Sequence, residues 1–238
     1  MSSKEEMLER VRKALGRSGE NPQPHPPPPL DLGGVMPPLA PEDYQSKFEG
    51  EWEKAGGIAY SVSSVAELDA VLQKILELAG TQAVALSRNP LLEELRVADR
   101  LTALGKFVTT WSGATLGSDS LLDLYKASFG VGAGITGVEY VLAESGSIVL
   151  TSATEGIQVV SLAPPVHIAL YRRRQLAGSL DEVLERLARS ELAGQPAPGR
   201  SVVIITGTSR TADIEQILIR GVHGPSQTHA ILVADACG

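Results

Sequence analysis

The rhythm of apolar positions changes twice along the chain. Over residues 4–16, Met7, Leu8, Val11 and Leu15 recur as one stripe of a 3.6-residue period, and Gly16 supplies a stop, so this stretch predicts an amphipathic helix. The rhythm then disappears. Nine of the fifteen prolines fall between Pro22 and Pro41, four of them consecutive from Pro26 to Pro29. Such a segment cannot be helical, and residues 17–41 read as an extended, polyproline-like linker.

Regular pattern resumes beyond Pro41. A helix is predicted over 42–55, ended by Gly56 and Gly57, and a strand over 58–62. Ser64 and Glu67 have the spacing of a capping box and open a helix to about Ala79. A strand at 82–87 leads to Asn89 and Pro90, an N-cap with proline at the first helical position, and a helix to about Thr102. A strand at 106–110 follows. In the second half, strands are predicted at 129–132, 147–151, 157–161, 166–171, 201–206 and 229–234, and helices at 119–127, 137–143, 180–190 and 211–219. No fixed-period repeat is present. This alternation predicts an α/β fold: an open, mostly parallel sheet with helices on both faces and an antiparallel extension around 146–171. The expected organisation is an N-terminal helix and Pro-rich arm over 1–41, then one domain over 42–238.

Composition narrows the function classes. Of the 238 residues 43% are hydrophobic but only 4% aromatic, so a single core is affordable and must be aliphatic. A net charge of −7 argues against a nucleic-acid role and against docking on anionic membranes. One cysteine, Cys237, permits no internal disulfide, which fits a reducing cytoplasm, and one thiolate cannot hold an iron–sulfur cluster or a structural zinc. The four histidines show no paired spacing, so no metal site is expected. No apolar run reaches the ~20 residues of a membrane helix. The first twenty residues carry five basic and four acidic side chains and no apolar core, so they do not read as a secretory signal.

Ligands in open α/β sheets bind where strands enter helices. Three small-residue loops qualify. Ser112–Ser118 lacks the lysine of a P-loop. Gly132, Gly134 and Gly137 satisfy G-x-G-x-x-G, yet Glu155, 18 positions on, follows a strand and turn rather than a crossover strand. The stretch is therefore read as closing a strand and opening a helix at Val138 with Thr136 at its N-cap, not as a nicotinamide site. The third loop, Thr206–Glu215, is the richest: Ser209 and Thr211 can donate to an anion, Arg210 can pair with a carboxylate or phosphate, and Asp213 and Glu215 suit the first turns of a helix. Among isolated residues, Glu144 is read either as a nucleophile, base or ligand or as a solvated turn residue. His167 is either functional or a core histidine of its strand, His223 lies in a Gly-Val-His-Gly-Pro turn, and Arg172 to Arg174 read as a solvated strand end.

Four ordered segments then align with one family: Thr136–Leu150, Ser161–Ala169, Gly207–Glu215 and Gly221–Pro225. With the leading helix and loose linker, the chain resembles the LUD-domain family in its lactate utilization protein C-like branch. The resemblance implies a fold similar to that of ribose-phosphate isomerases and CoA transferases. It also implies a part in oxidising L-lactate to pyruvate beside partner subunits that carry the iron–sulfur clusters, with no cofactor bound by this chain alone. It marks Thr136, Gly137, Ser209, Arg210, Thr211, Asp213 and Gly224 as binding a small carboxylate or phosphate. Glu144, His167 and His223 are marked as catalytic candidates. On lactate, Arg210 would clamp the carboxylate and a histidine would take the hydroxyl proton. Two alternatives stand beside this: a CoA-thioester or sugar-phosphate enzyme using Glu144 in its Glu-x-Gly context, and a non-catalytic assembly or regulatory subunit with the N-terminal helix as a hook; a homo-oligomer is compatible with each reading.

Overall fold

The computed structural model describes residues 3–14, 39–110, 126, 129–156, 158–192, 199, 201–212 and 218–237. The chain forms two compact units, Met1–Pro38 and Leu39–Gly238. In the first, α1 (Ser3–Ala14) places Glu5 and Glu6 in its first turn and Arg12 and Lys13 in its last, the arrangement that favours the helix dipole. The linker reading at 17–38, the Ser112–Ser118 loop and, Lys126 aside, the expected helix at 119–127 lie outside the described residues.

The second unit opens with α2 (Tyr44–Lys54), β1 (Ile58–Val62), α3 (Val65–Leu78), β2 (Ala83–Leu86), α4 (Pro90–Glu94), α5 (Val97–Ala103) and β3 (Phe107–Thr110). It continues with β4 (Ala133–Thr136), β5 (Tyr140–Leu142), β6 (Ser147–Thr151), α6 (Ser152–Glu155), α7 (Val159–Leu162), β7 (Val166–Tyr171) and β8 (Leu176–Ala177). Last come α8 (Leu180–Leu192), β9 (Val202–Ile205), β10 (Arg210–Ala212), β11 (Leu218–Arg220) and β12 (Gln227–Val233). The cap signals operate as read: the Ser64 side chain accepts from the Glu67 N–H at 3.2 Å, and Asn89 from the Leu91 N–H at 3.0 Å. The reciprocal half of the capping box is displaced by one residue, Glu67 accepting from the Ser63 N–H at 2.8 Å.

Six strands, all parallel, form the main sheet in the order β1-β12-β7-β4-β2-β3. Its central strands β4 and β7 are buried along their whole length, as a parallel sheet covered on both faces requires. One face packs Ile135, Ile168, Leu170 and Ile231 against Leu72, Ile75, Leu76, Leu95 and Leu101 of the helical layer. The other packs Ala169, Tyr171, Ala230 and Leu232 against Phe48 and Trp52 of α2 and Val141, Ile148 and Leu150 of a second sheet, ordered β8-β5-β6-β9. That second sheet, with β5 and β9 both antiparallel to β6, is covered in turn by Val183 and Leu187 of α8. An antiparallel extension exists, but it is built from 140–142, 147–151 and 202–205 rather than around 146–171, since 159–162 is helical and 166–171 lies in the parallel sheet; it does much of the covering that helices were expected to do.

Five local readings change. Residues 137–143 are not a helix: Thr136 ends β4, and Tyr140–Leu142 pairs antiparallel with Ser147–Val149. Val138, Val141 and Leu142 mimic helical spacing because a strand buried on both faces shows no alternation. The strand expected at 129–132 lies at 133–136, where a Cβ on Gly134 would overlap the carbonyl oxygen of Val160. The apolar run expected as strand 157–161 is helical at 159–162, forming the crossover whose carbonyl occupies that glycine gap. Residues 210–212 are not the start of a helix over 211–219 but a strand paired with 218–220. The helix expected from Asn89 to Thr102 is also broken, at Arg96, whose backbone is left-handed (φ 50°, ψ 42°).

Candidate functional site

Strand order decides where this sheet can hold a ligand. From β2 the chain passes to β3 at one edge, whereas from β4 it passes by way of the second sheet to β7 on the other side. The neighbours β2 and β4 thus send their connections apart, and a crevice at their carboxyl ends is the expected binding place. The carboxyl ends of β7 and β12 are differently occupied. Arg172, only 1% exposed, donates to the carbonyls of Val233, Ala234 and Cys237 and pairs with the Glu94 carboxylate. The solvated strand end expected at Arg172 is instead a buried clamp that ties the C-terminal turn and α4 over that half of the sheet.

A buried polar network lies at the β2/β4 crevice. Glu155, at the end of α6, is 1% exposed. Its Oε2 accepts from the Ser87 hydroxyl at 2.6 Å, and its Oε1 accepts from the Asn89 amide. The Gly137 N–H also points to this carboxyl, and the Glu155 carbonyl accepts from the Arg88 N–H at 3.2 Å. Gly137 is required here, since a Cβ would overlap the Asn89 side chain. Around this core, Thr154 and Thr151 donate to half-buried Glu139 at 3.2 and 3.4 Å. Burial pushes the Glu155 pKa up, the hydrogen bonds from Ser87, Asn89 and Gly137 oppose that shift, and the charge of Glu139 adds to it. A second carboxylate beside a buried one is an arrangement that holds a proton.

Next to it, Thr136 Oγ1 and His167 Nε2 lie 2.9 Å apart, both fully buried. Burial, together with the nearby His229 ring, pushes the His167 pKa down to about 3, so its imidazole is neutral at ordinary pH. Beside Ser87 an open cavity of about 350 Å³ is bounded by the carboxyl ends of β2 and β3 and by Arg96 and Asp99.

The residues singled out from sequence divide between two ends of the sheet. Gly137 belongs to the Glu155 network and Thr136 adjoins it at the carboxyl end of β4, while His167, the second residue of β7, reaches Thr136 from the amino half of that strand. Ser209, Arg210, Thr211, His223 and Gly224 lie at the opposite end, beside the amino ends of β1, β7 and β12. There Ser209 N–H donates to the Pro225 carbonyl at 2.9 Å, and Thr208 N–H donates to the Ala55 carbonyl at 3.4 Å. Arg210 Nε reaches Thr208 Oγ1 at 3.4 Å, and His223 is exposed. Asp213 lies outside the described residues. Glu144 is part of neither group: it sits in the β5–β6 turn, and its Oε1 caps α8 by accepting from the Leu180 N–H at 2.7 Å. Sequence reasoning named Ser87 and Asn89 only as strand and cap, and weighed Glu155 only against a dinucleotide site. The available signal was a carboxylate and glycine, Glu155-Gly156, four residues beyond the strand at 147–151 with its apolar centre Ile148–Leu150.

Among the described residues no three His, Cys, Asp or Glu side chains gather as a metal site, and no helix is long and apolar enough to cross a membrane. Residues 46–233 match the LUD domain. An uncharacterised protein of Escherichia coli K12, YkgG, is 34% identical over 156 residues, 66% of this chain and 64% of that protein. The chain therefore spans slightly less than two thirds of that relative. Lactate utilization protein C of Bacillus subtilis is 31% identical over 171 residues, covering 70% of this chain and 68% of that one. The protein of the same name from Deinococcus radiodurans is 29% identical over 236 residues, 97% of this chain and 95% of that one. The crystal structure of a duf162 family protein from Deinococcus radiodurans superposes with a TM-score of 0.56 at 22% identity, over 82% of this chain and 99% of that one, which establishes the shared fold.

Proposed function

The chain belongs to the LUD-domain family, and from that premise we propose that it is a cytoplasmic component of an L-lactate utilization system whose working site is the Glu155 network at the carboxyl ends of β2 and β4. The observation that carries this reading is the Glu155 carboxyl itself, buried at the switch point of the sheet and held by Ser87 and Asn89. A buried carboxyl with raised proton affinity suits exchange of a proton with the hydroxyl of a small 2-hydroxy acid. The neutral His167 then acts as a positioning residue through Thr136, not as the base. Oxidation of lactate to pyruvate releases two protons and two electrons. The single cysteine of this chain supplies no thiolate set to receive the electrons, which supports their passage to iron–sulfur clusters on partner subunits. The thioester-transfer alternative at Glu144 has less support, because that carboxylate is engaged as a helix cap.

The test sets the two ends of the sheet against each other. In cells whose own copy is replaced, Glu155→Gln is expected to abolish growth on L-lactate at normal protein level, and Arg210→Ala to leave it largely intact. The opposite pattern, growth with Glu155→Gln and none with Arg210→Ala, would overturn this reading and move the site to the amino-terminal edge.

A further inference from the structure

Arg96 occupies a position that its own chemistry disfavours. It is the only non-glycine residue with a positive φ among the described residues. It follows Leu95, the C-cap of α4, in the place where helices end on a left-handed glycine or asparagine. A side chain there costs free energy that glycine would not, and strain of this kind gathers at functional sites. The guanidinium that results lines the 350 Å³ cavity together with Ser87, Arg88 and Thr110.

The cavity has the parts of an anion site. Arg88, on the loop leaving β2, is anchored by Nη2 donating to the Ala153 carbonyl at 3.0 Å. Ser87 borders the cavity wall and joins it to the Glu155 network, its own hydroxyl proton being donated to Glu155, so the donors to an anion are the two guanidinium groups. The counter-ion of Arg96 is Asp99, at 2.7 Å, but the two side chains are 74% and 65% exposed. Such a pair contributes little and exchanges readily for a better-placed anion. Glu93 and Asp99 line the same cavity and balance the two arginines, so the resting cavity carries no excess charge. An anion enters by taking Arg96 from Asp99.

We propose that this cavity binds a small carboxylate or phosphate group through Arg96 and Arg88, adjoining the Glu155 network at Ser87. The inference deepens the functional reading above and rests on it for the identity of the adjoining site. Two probes distinguish the sources of the anion: sodium pyruvate and inorganic phosphate, each titrated calorimetrically into the full-length chain at fixed ionic strength. One of them is expected to bind saturably. Arg96→Gly should weaken that binding about tenfold or more, the loss expected for a charge-assisted hydrogen bond. Its thermal midpoint should nevertheless hold or rise, by up to about 4 °C, because glycine relieves the left-handed backbone. Asp99→Asn should tighten binding by removing the competing carboxylate. Binding of neither probe, unchanged affinity in Arg96→Gly, or a lowered midpoint in that variant would overturn the assignment. The growth test fails separately: anion binding that depends on Arg96, in a chain whose Glu155→Gln variant still supports growth on lactate, would sink the functional reading and leave the cavity assignment standing.

Discussion

His229 permits a quantitative test of how this core tolerates charge. It lies on β12 with 4% exposure, its ring stacked on Tyr60 at 6.0 Å between centroids, and neither ring nitrogen has a hydrogen-bond partner among the described residues. Burial pushes its pKa down to about 4, and that of His167 down to about 3. A depressed histidine pKa means that the unfolded chain binds more protons between pH 6.5 and the folded value. Each histidine's contribution is therefore fully present above pH 6.5 and is lost as pH falls toward 3–4. Going from pH 8 to pH 5 removes about 2 kcal/mol per histidine, about 4 kcal/mol for the pair. The raised pKa of Glu155 acts in the opposite sense, its penalty appearing as pH rises, but it cancels when a histidine variant is compared with wild type. His229→Phe keeps the ring stack and removes both nitrogens. Its stability relative to wild type should be about 2 kcal/mol more favourable at pH 5 than at pH 8. Urea unfolding at both pH values, followed by fluorescence of buried Trp52, measures this double difference. An equal loss of stability between pH 8 and pH 5 in the two proteins would refute the assignment of acid sensitivity to His229.

Two further substitutions probe the scaffold. Arg172→Met removes the cation that ties Val233, Ala234 and Cys237 carbonyls to Glu94. It should cost about 3 kcal/mol, the low end for a broken buried pair because Glu94 is half-exposed, read as a lower urea midpoint at unchanged slope. Gly137→Ala places a methyl in the space of the Asn89 side chain and should cost about 1–3 kcal/mol from overpacking, with a further ~1 kcal/mol from the disturbed α4 cap. The thermal midpoint should fall accordingly, and an unchanged midpoint would mean that Asn89 has more room than its contacts suggest.

Elements with local signals were legible without coordinates. Ser64 with Glu67, and Asn89 with Pro90, announce helix starts through hydrogen bonds that span only a few residues. Isolated apolar strands such as 58–62 and 166–171 are bounded by glycine and proline, and both appear where expected. The family motif at 136–150 was equally readable, but not its conformation. Tyr140–Leu142 is a strand because β6 and β8 lie beside it, and no local pattern separates a strand buried on both faces from a short helix. The same holds for residues 210–212, whose partner 218–220 settles their state.

The working site shows the division most clearly. Ser87, Asn89, Gly137 and Glu155 come from three separate segments, and Ser87 meets Glu155 across 68 positions of sequence. Sequence alone could name a cap, a strand end and a stray carboxylate, because those roles depend on neighbours a few residues away. Which carboxylate became buried, and which end of the sheet held the polar network, followed from the order in which parallel strands assembled. That order is a matter of long-range packing, and it separated Arg210 and His223 from Thr136 and Gly137 although the resemblance groups the motifs containing them. Periodicity and caps act over a few residues at the scale of single hydrogen bonds, whereas a site at a switch point exists only once β2 and β4 are neighbours.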